Sequence, residues 1–268
     1  MNWQKPLNTY VMTALTTMGI IAPFPPSALS AGLLSGQDPG ETIEIIAAHL
    51  EGRLDDDPQS GYNKLLKKIL PTQSHYLKYQ RYPLTRALRK FAEAKRVCLF
   101  PASKTAVASI VKIETDNLYE SIPIDSVSSH FISAPDKRKV ERPSDLDGLK
   151  VGVQHGVSGR AFSDINPNIT VITAPDDLTA LKMVYANRVD VMYGWYPDSY
   201  YIAEKNNLPL PYFNPEFVIF ETTTHFVCKE FGGFEDLLKI LNTRIRNLKK
   251  TGELKNILGK HAQITPLP

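Results

Sequence analysis

Along residues 149–154, Leu149, Val151 and Val153 alternate with Lys150, Gly152 and Gln154, the period-2 pattern of a strand. Gly156 then frees the backbone for a sharp turn, and Ser158 is placed to cap a following helix. The stretch LKVGVQHGVSGRAF therefore predicts strand, turn and helix start. Such a turn offers unpaired N–H groups and the positive end of a helix dipole to whatever lies above the sheet. Gly152, Gly156 and Gly159 are spaced four and three apart, which makes neither a dinucleotide fingerprint nor a phosphate loop. No cofactor follows from them. They either shape a tight turn or face a ligand.

Upstream, residues 42–48 (TIEIIAA) read as a buried strand and 62–70 as a short helix that Pro71 stops. A strand over 75–80, a helix from Pro83 with Leu84, Leu88 and Phe91 on one face, and an apolar strand over 97–100 complete a βαβαβ order. That order predicts a mainly parallel sheet covered by helices. Residues 119–134 read as extended. After 149–154 the pattern restarts: a strand over 169–173, a helix over 177–187 with Leu178, Leu181 and Tyr185 inward, a strand over 189–193, and a helix from Pro197 to about Asn206. A second set predicts a second sheet, hence two α/β lobes. Residues 225–229 form one more strand. Two C-terminal helices follow, one with Leu237, Leu241, Ile245 and Leu248 on a face, the other with Leu254, Ile257 and Leu258, separated by Gly252.

With 268 residues, 43% hydrophobic and 22% charged, the chain has room for one large domain or two modest ones. Its 31 basic and 28 acidic residues are spread along the chain, which argues against a nucleic-acid face. Lys5, the apolar run 11–24, prolines at 23, 25 and 26, and small residues at Ala28, Ser30 and Ala31 read as a signal peptide over 1–31. The product is then expected to be soluble and periplasmic, because nothing later in the sequence is long and apolar enough to span a bilayer. Cys98 and Cys228 each sit in an apolar run. They read as two buried thiols, with a single bridge as the alternative in an oxidising compartment. The histidines show no metal spacing, Asp55 to Asp57 read as a solvated loop, and no nucleophile motif occurs, so neither a metal site nor a catalytic residue is expected.

Four segments in order carry a family resemblance: RYPLTRALRKFAEAKRVCLFPASKT, LDGLKVGVQHGVSG, DDLTALKMVYANRVDVMYGW and LNTRIRNLKKTGELKNILGKH. Together they resemble the periplasmic solute-binding proteins of type II, amino-acid-binding-like (family 3), the venus-flytrap receptors of ABC importers. The resemblance implies an α/β fold of two lobes, each a mainly parallel sheet flanked by helices, with lobe 1 over 41–124 and 223–268 and lobe 2 over 125–222. It implies a small-molecule ligand in the cleft, no cofactor, a monomer, and a partner that is an ABC permease or a membrane sensor.

Carried over by position, the lobe 1 contacts are His49, Glu51, Arg53, Tyr82, Ser103, Lys104 and Thr105, and the lobe 2 contacts are Gly156, Val157, Ser158, Trp195 and Tyr196. Arg86 has the option of facing the cleft from its helix's first turn. Two departures stand out. Ala106, Val107 and Ala108 occupy the stretch where the family's carboxylate-clamping arginine is expected, and Trp195 stands where an ammonium-binding aspartate is expected. The ligand is therefore expected not to be a standard α-amino acid. A few proteins of this fold are cyclohexadienyl dehydratases, and His49 with Glu51 is the pair such an activity would use. The implied topology also sets strand 225–229 beside strand 97–100, making the cysteines neighbours; register decides whether they bond, and two reduced thiols are the favoured reading.

Overall fold

The computed structural model describes residues 42–71, 76–157 and 164–267. The expected signal peptide over 1–31, His75 and Ser158 lie outside them. The first sheet contains β1 (Ile43–Ala48), β2 (Leu77–Tyr82), β3 (Val97–Ala102), β4 (Leu118–Glu120) and β10 (His225–Lys229), in the order β2-β1-β3-β10-β4. β1 runs parallel to β2 and β3, and β10 runs antiparallel to β3 and β4. Helices α1 (Gly61–Ile69), α6 (Phe234–Lys250) and α7 (Glu253–Leu258) cover one face of this sheet, and α2 (Leu84–Glu93) and α3 (Lys104–Val111) cover the other.

Double coverage explains why β1 is apolar at every position but Glu44. Ile43, Ile45 and Ala47 join the cluster of α1, α6 and α7, while Ile46 and Ala48 join that of α2 and α3. In α1, the buried Tyr62, Leu65, Leu66 and Ile69 recur at helical spacing and face that same core.

The second sheet contains β5 (Asp125–Ile132), β6 (Lys150–Gln154), β7 (Thr170–Ala174), β8 (Val191–Tyr196), β9 (Phe220–Thr223) and β11 (Gln263–Ile264), with β9 also on β5. β6 is parallel to β7 and β8, and α4 (Asp177–Tyr185) and α5 (Asp198–Lys205) pack on one face. The expected strands at 75–80 and 189–193 lie two to three residues later than periodicity placed them, because apolar pattern alone locates element ends poorly. β11 departs from the expected assignment of 223–268 to one lobe: it pairs with the start of β5 in the second sheet, although α6 and α7 pack on the first. Among the described residues, no helix is long and apolar enough to cross a membrane.

The cysteine expectation is corrected. Cys98 and Cys228 are joined in a disulfide and lie directly opposite each other on β3 and β10. Pairing of His225 with Ala102, continued without interruption, would set Cys228 opposite Leu99. An irregularity between His225 and Val227 shifts the register by one residue and brings Cys228 opposite Cys98.

Candidate functional site

Open α/β sheets bind ligands beyond the carboxyl ends of their strands, and in this chain those ends of both sheets border one cavity of about 490 Å³. From the first sheet come His49, which follows β1, and Pro83, Leu84, Thr85, Arg86 and Arg89 of the turn into α2 and its first turns. Gln154 at the end of β6 and His155 after it, with Pro175 and Asp176 after β7, close it from the second sheet. Asp176 caps α4 by accepting the Thr179 N–H at 2.7 Å.

At this cavity the turn after β6 also approaches the first turn of α2. Gly156 has a φ of +97°, and a Cβ added there would lie 2.8 Å from the Thr85 hydroxyl oxygen. The Gly156→Ala variant is therefore expected to lose about 1–2 kcal/mol from its left-handed backbone alone, plus the contact with Thr85. Urea unfolding checks this: Thr85→Ala in the Gly156→Ala background should restore only the contact part. An unchanged midpoint in Gly156→Ala would remove the constraint.

A second junction joins the loop after β1 to α5. Arg53 is 2% exposed; its guanidinium donates to Asp198 at 2.6 Å and to Asp125, and lies 4.0 Å over the Tyr62 ring. Asp125 is further bonded by the Tyr62 hydroxyl at 2.9 Å and by Thr224. Burial opposes the charge on Arg53, but Tyr62, Asp125 and Asp198 outweigh it and hold its pKa well above the ordinary value. Beside this group, Lys205 of α5 donates to Asp55 at 2.6 Å and pairs with Glu51 at 2.9 Å. Burial pushes Asp55 up, yet hydrogen bonds from Lys205, Ser60 and the Gly52 and Asp57 N–H groups hold it below the usual carboxylate range.

Asp177, in the first turn of α4, is different in kind. Burial, then Asp198 and Asp176, push its carboxyl up to about 7. Its folded pKa exceeds the unfolded value near 3.8, so the proton is held more tightly in the fold. The associated stability is full below about pH 4 and is lost as pH climbs from there through 7. Asp177→Asn is accordingly expected to raise the melting temperature at pH 8 and to change it little at pH 4. Melts at both pH values test this, and equal shifts would contradict it.

Of the residues carried over from the resemblance, His49 lines the cavity, Glu51 lies 3.5 Å from His49, and Gly156 abuts Thr85. Tyr82 sits beneath the Arg86 guanidinium at 5.0 Å. Val157 is half-buried against the core of the second sheet. Other residues sit elsewhere. Arg53 has its charge spent on two aspartates. Ser103 bonds Thr105 at 3.1 Å, and neither lines the cavity. Lys104 lines a separate groove with Glu120, Phe234 and Arg246. Trp195 packs edge-on against Tyr193 and Phe220, and Tyr196 packs against Tyr200 and Phe213 while accepting a hydrogen bond from Gln263.

Sequence reasoning missed Arg89, His155 and Asp176 as lining residues. The signals were present: an arginine three positions after Arg86 shares its helix face, and an aspartate following Pro175 marks a helix start beyond a strand.

Two helix-flanked α/β sheets meeting over a shared cleft define the two-lobed fold of type II, amino-acid-binding-like solute-binding proteins. Solved structures carry the same architecture. A mutant of ArgBP from T. maritima is 17% identical and superposes with a TM-score of 0.62, over 83% of this chain and 95% of that one. The GluR0 ligand-binding core from Nostoc punctiforme, in complex with (L)-glutamate, is 12% identical with a TM-score of 0.61, over 80% and 96%. The ancestral amino acid-binding protein AncCDT-1, a precursor of cyclohexadienyl dehydratase, is 17% identical with a TM-score of 0.58, over 81% and 93%. No family model and no curated protein matches the sequence. At these identities the likeness establishes the fold.

Proposed function

We propose that this chain is an extracytoplasmic solute-binding protein whose lobes, 41–124 with 223–268 (apart from β11, which joins the second sheet) and 125–222, close on a small solute and deliver it to an ABC importer, with residues 1–31 serving as the export signal. The observation that carries this reading is the cavity bordered by strand ends of both sheets, since a site shared by two bodies couples occupancy to their closure. ArgBP and the glutamate-bound GluR0 core support solute binding as the general role of the fold. The ligand of this chain is not a standard α-amino acid, because Ala106 to Ala108 and Trp195 supply neither a clamp for an α-carboxylate nor a partner for an α-ammonium.

A thermal-shift screen over amino acids, organic acids, sugars and aromatic acids tests the reading. A true ligand at 100 times its Kd stabilises by about 2.7 kcal/mol. Scattering with that ligand should show compaction. A strong shift with a standard amino acid would refute the specificity, and an unchanged radius of gyration at saturation would refute closure.

Because AncCDT-1 is a precursor of cyclohexadienyl dehydratase and His49 lies 3.5 Å from Glu51 at the cleft, a dehydratase-like activity is the second reading. Glu51 is already paired with Lys205, which favours binding over proton transfer. Chromatography of any screened hit after incubation separates the two, since an enzyme consumes its ligand.

A further inference from the structure

We propose that the cleft takes a small polyanion bearing carboxylate or phosphate groups, held by Arg86 and Arg89. This inference rests on the solute-binding reading and adds the ligand's charge class. α2 carries the two arginines three positions apart, on one helix face, and both line the cavity. The Arg86 guanidinium lies over the Tyr82 ring at 5.0 Å, a contact that fixes the group without using its N–H donors. Arg89 is within 3.9 Å of Glu93, but both side chains are more than half exposed, and such a pair holds a guanidinium weakly in water.

The acids at and beside the cavity each have a partner. Asp176 accepts the Thr179 N–H as the cap of α4, and Glu51 is held by Lys205. Among the described residues, the lining thus presents two arginines against a single carboxylate, Asp176, whose acceptor is engaged by a backbone N–H, while Glu51 outside the lining is paired with Lys205. That balance favours an anion and disfavours a cation. A guanidinium offers five donors in a fixed fork suited to carboxylate or phosphate, so two of them suit a solute with two anionic groups. The cavity volume of about 490 Å³ accommodates such a molecule.

The test is calorimetric titration of the full chain with sodium succinate, sodium citrate and inorganic phosphate, at ionic strength matched with sodium chloride, beside glucose and putrescine. At least one of the three anions should bind, with an affinity that falls as salt is added. Arg86→Gln and Arg89→Gln, both at exposed positions and verified as folded by thermal melts, should each weaken binding by about tenfold or more. Succinate or citrate binding without phosphate binding identifies carboxylate as the recognised group, and the reverse identifies phosphate.

Three results would overturn the proposal: no binding of any of the three anions, binding insensitive to both substitutions, or tighter binding of glucose or putrescine. Scattering on the same samples separates this inference from the reading beneath it. An anion that binds through the arginines without compaction leaves the anion site and removes lobe closure. A neutral solute that binds and compacts the chain leaves closure and removes the anion site.

Discussion

Arg53→Met is expected to lose about 3–5 kcal/mol of folding stability, the cost of leaving buried carboxylates without their counter-charge. The Asp125 side chain is 0% exposed and that of Asp198 is 11% exposed, so water cannot replace the guanidinium at either. Methionine preserves much of the aliphatic bulk against the Tyr62 ring, which makes the loss one of charge rather than of volume. The triple variant Arg53→Met, Asp125→Asn, Asp198→Asn should recover a large part of the stability, because replacing a whole buried ionic group costs much less than orphaning half of it. Equilibrium urea unfolding of the two variants gives the comparison. If Arg53→Met alone stays within about 1 kcal/mol of the wild type, the buried group is not the junction described here.

Breaking the Cys98–Cys228 bond is expected to cost about 5 kcal/mol, the chain-entropy value for residues 130 positions apart. Both cysteines are fully buried in the cluster shared with α1, α6 and α7, so the Cys98→Ala, Cys228→Ala double variant also loses packing. Whole domains are stable by only about 5–15 kcal/mol, and the loss should therefore appear as a large fall in melting temperature or as failure to fold at 37 °C. Melts of the wild type in reductant, with a thiol count confirming that the bond is open, isolate the covalent part. Equal melting temperatures with the bond open and closed would show that it adds nothing to the fold. Such a bond persists in oxidising compartments, in agreement with the export proposed above.

Local pattern was enough for most of the helices and strands, though not for the antiparallel pairing of β5, β9, β10 and β11 that makes both sheets mixed. The alternation of Leu149, Val151 and Val153, the Pro83 and Pro197 helix starts, and two successive βαβαβ orders follow from periods of 2 and 3.6 residues that belong to each segment by itself. The run IEIIAA already carried the signature of a strand buried on both faces. Gly156 was legible as a turn because few other residues tolerate its backbone angle. The adjacency of strands 97–102 and 225–229 came from the resemblance, which also supplied the candidate contacts.

Only the tertiary structure decided which charges are free. Arg53 and Lys104 look alike in sequence, as lone cations after strands, yet the first meets Asp125 and Asp198, 72 and 145 positions away, and the second lines a groove that shares no residue with the cleft. Arg86 stays available because, among the described residues, it lies over Tyr82 and forms no ion pair with an acid, while Asp176 across the cavity caps its own helix. The disulfide turned on a single-residue register shift in β10, which no hydrophobic period encodes. Secondary structure is written in neighbours along the chain. Charge pairing and strand register are set by partners far along it, whose distances exist only once the chain is folded.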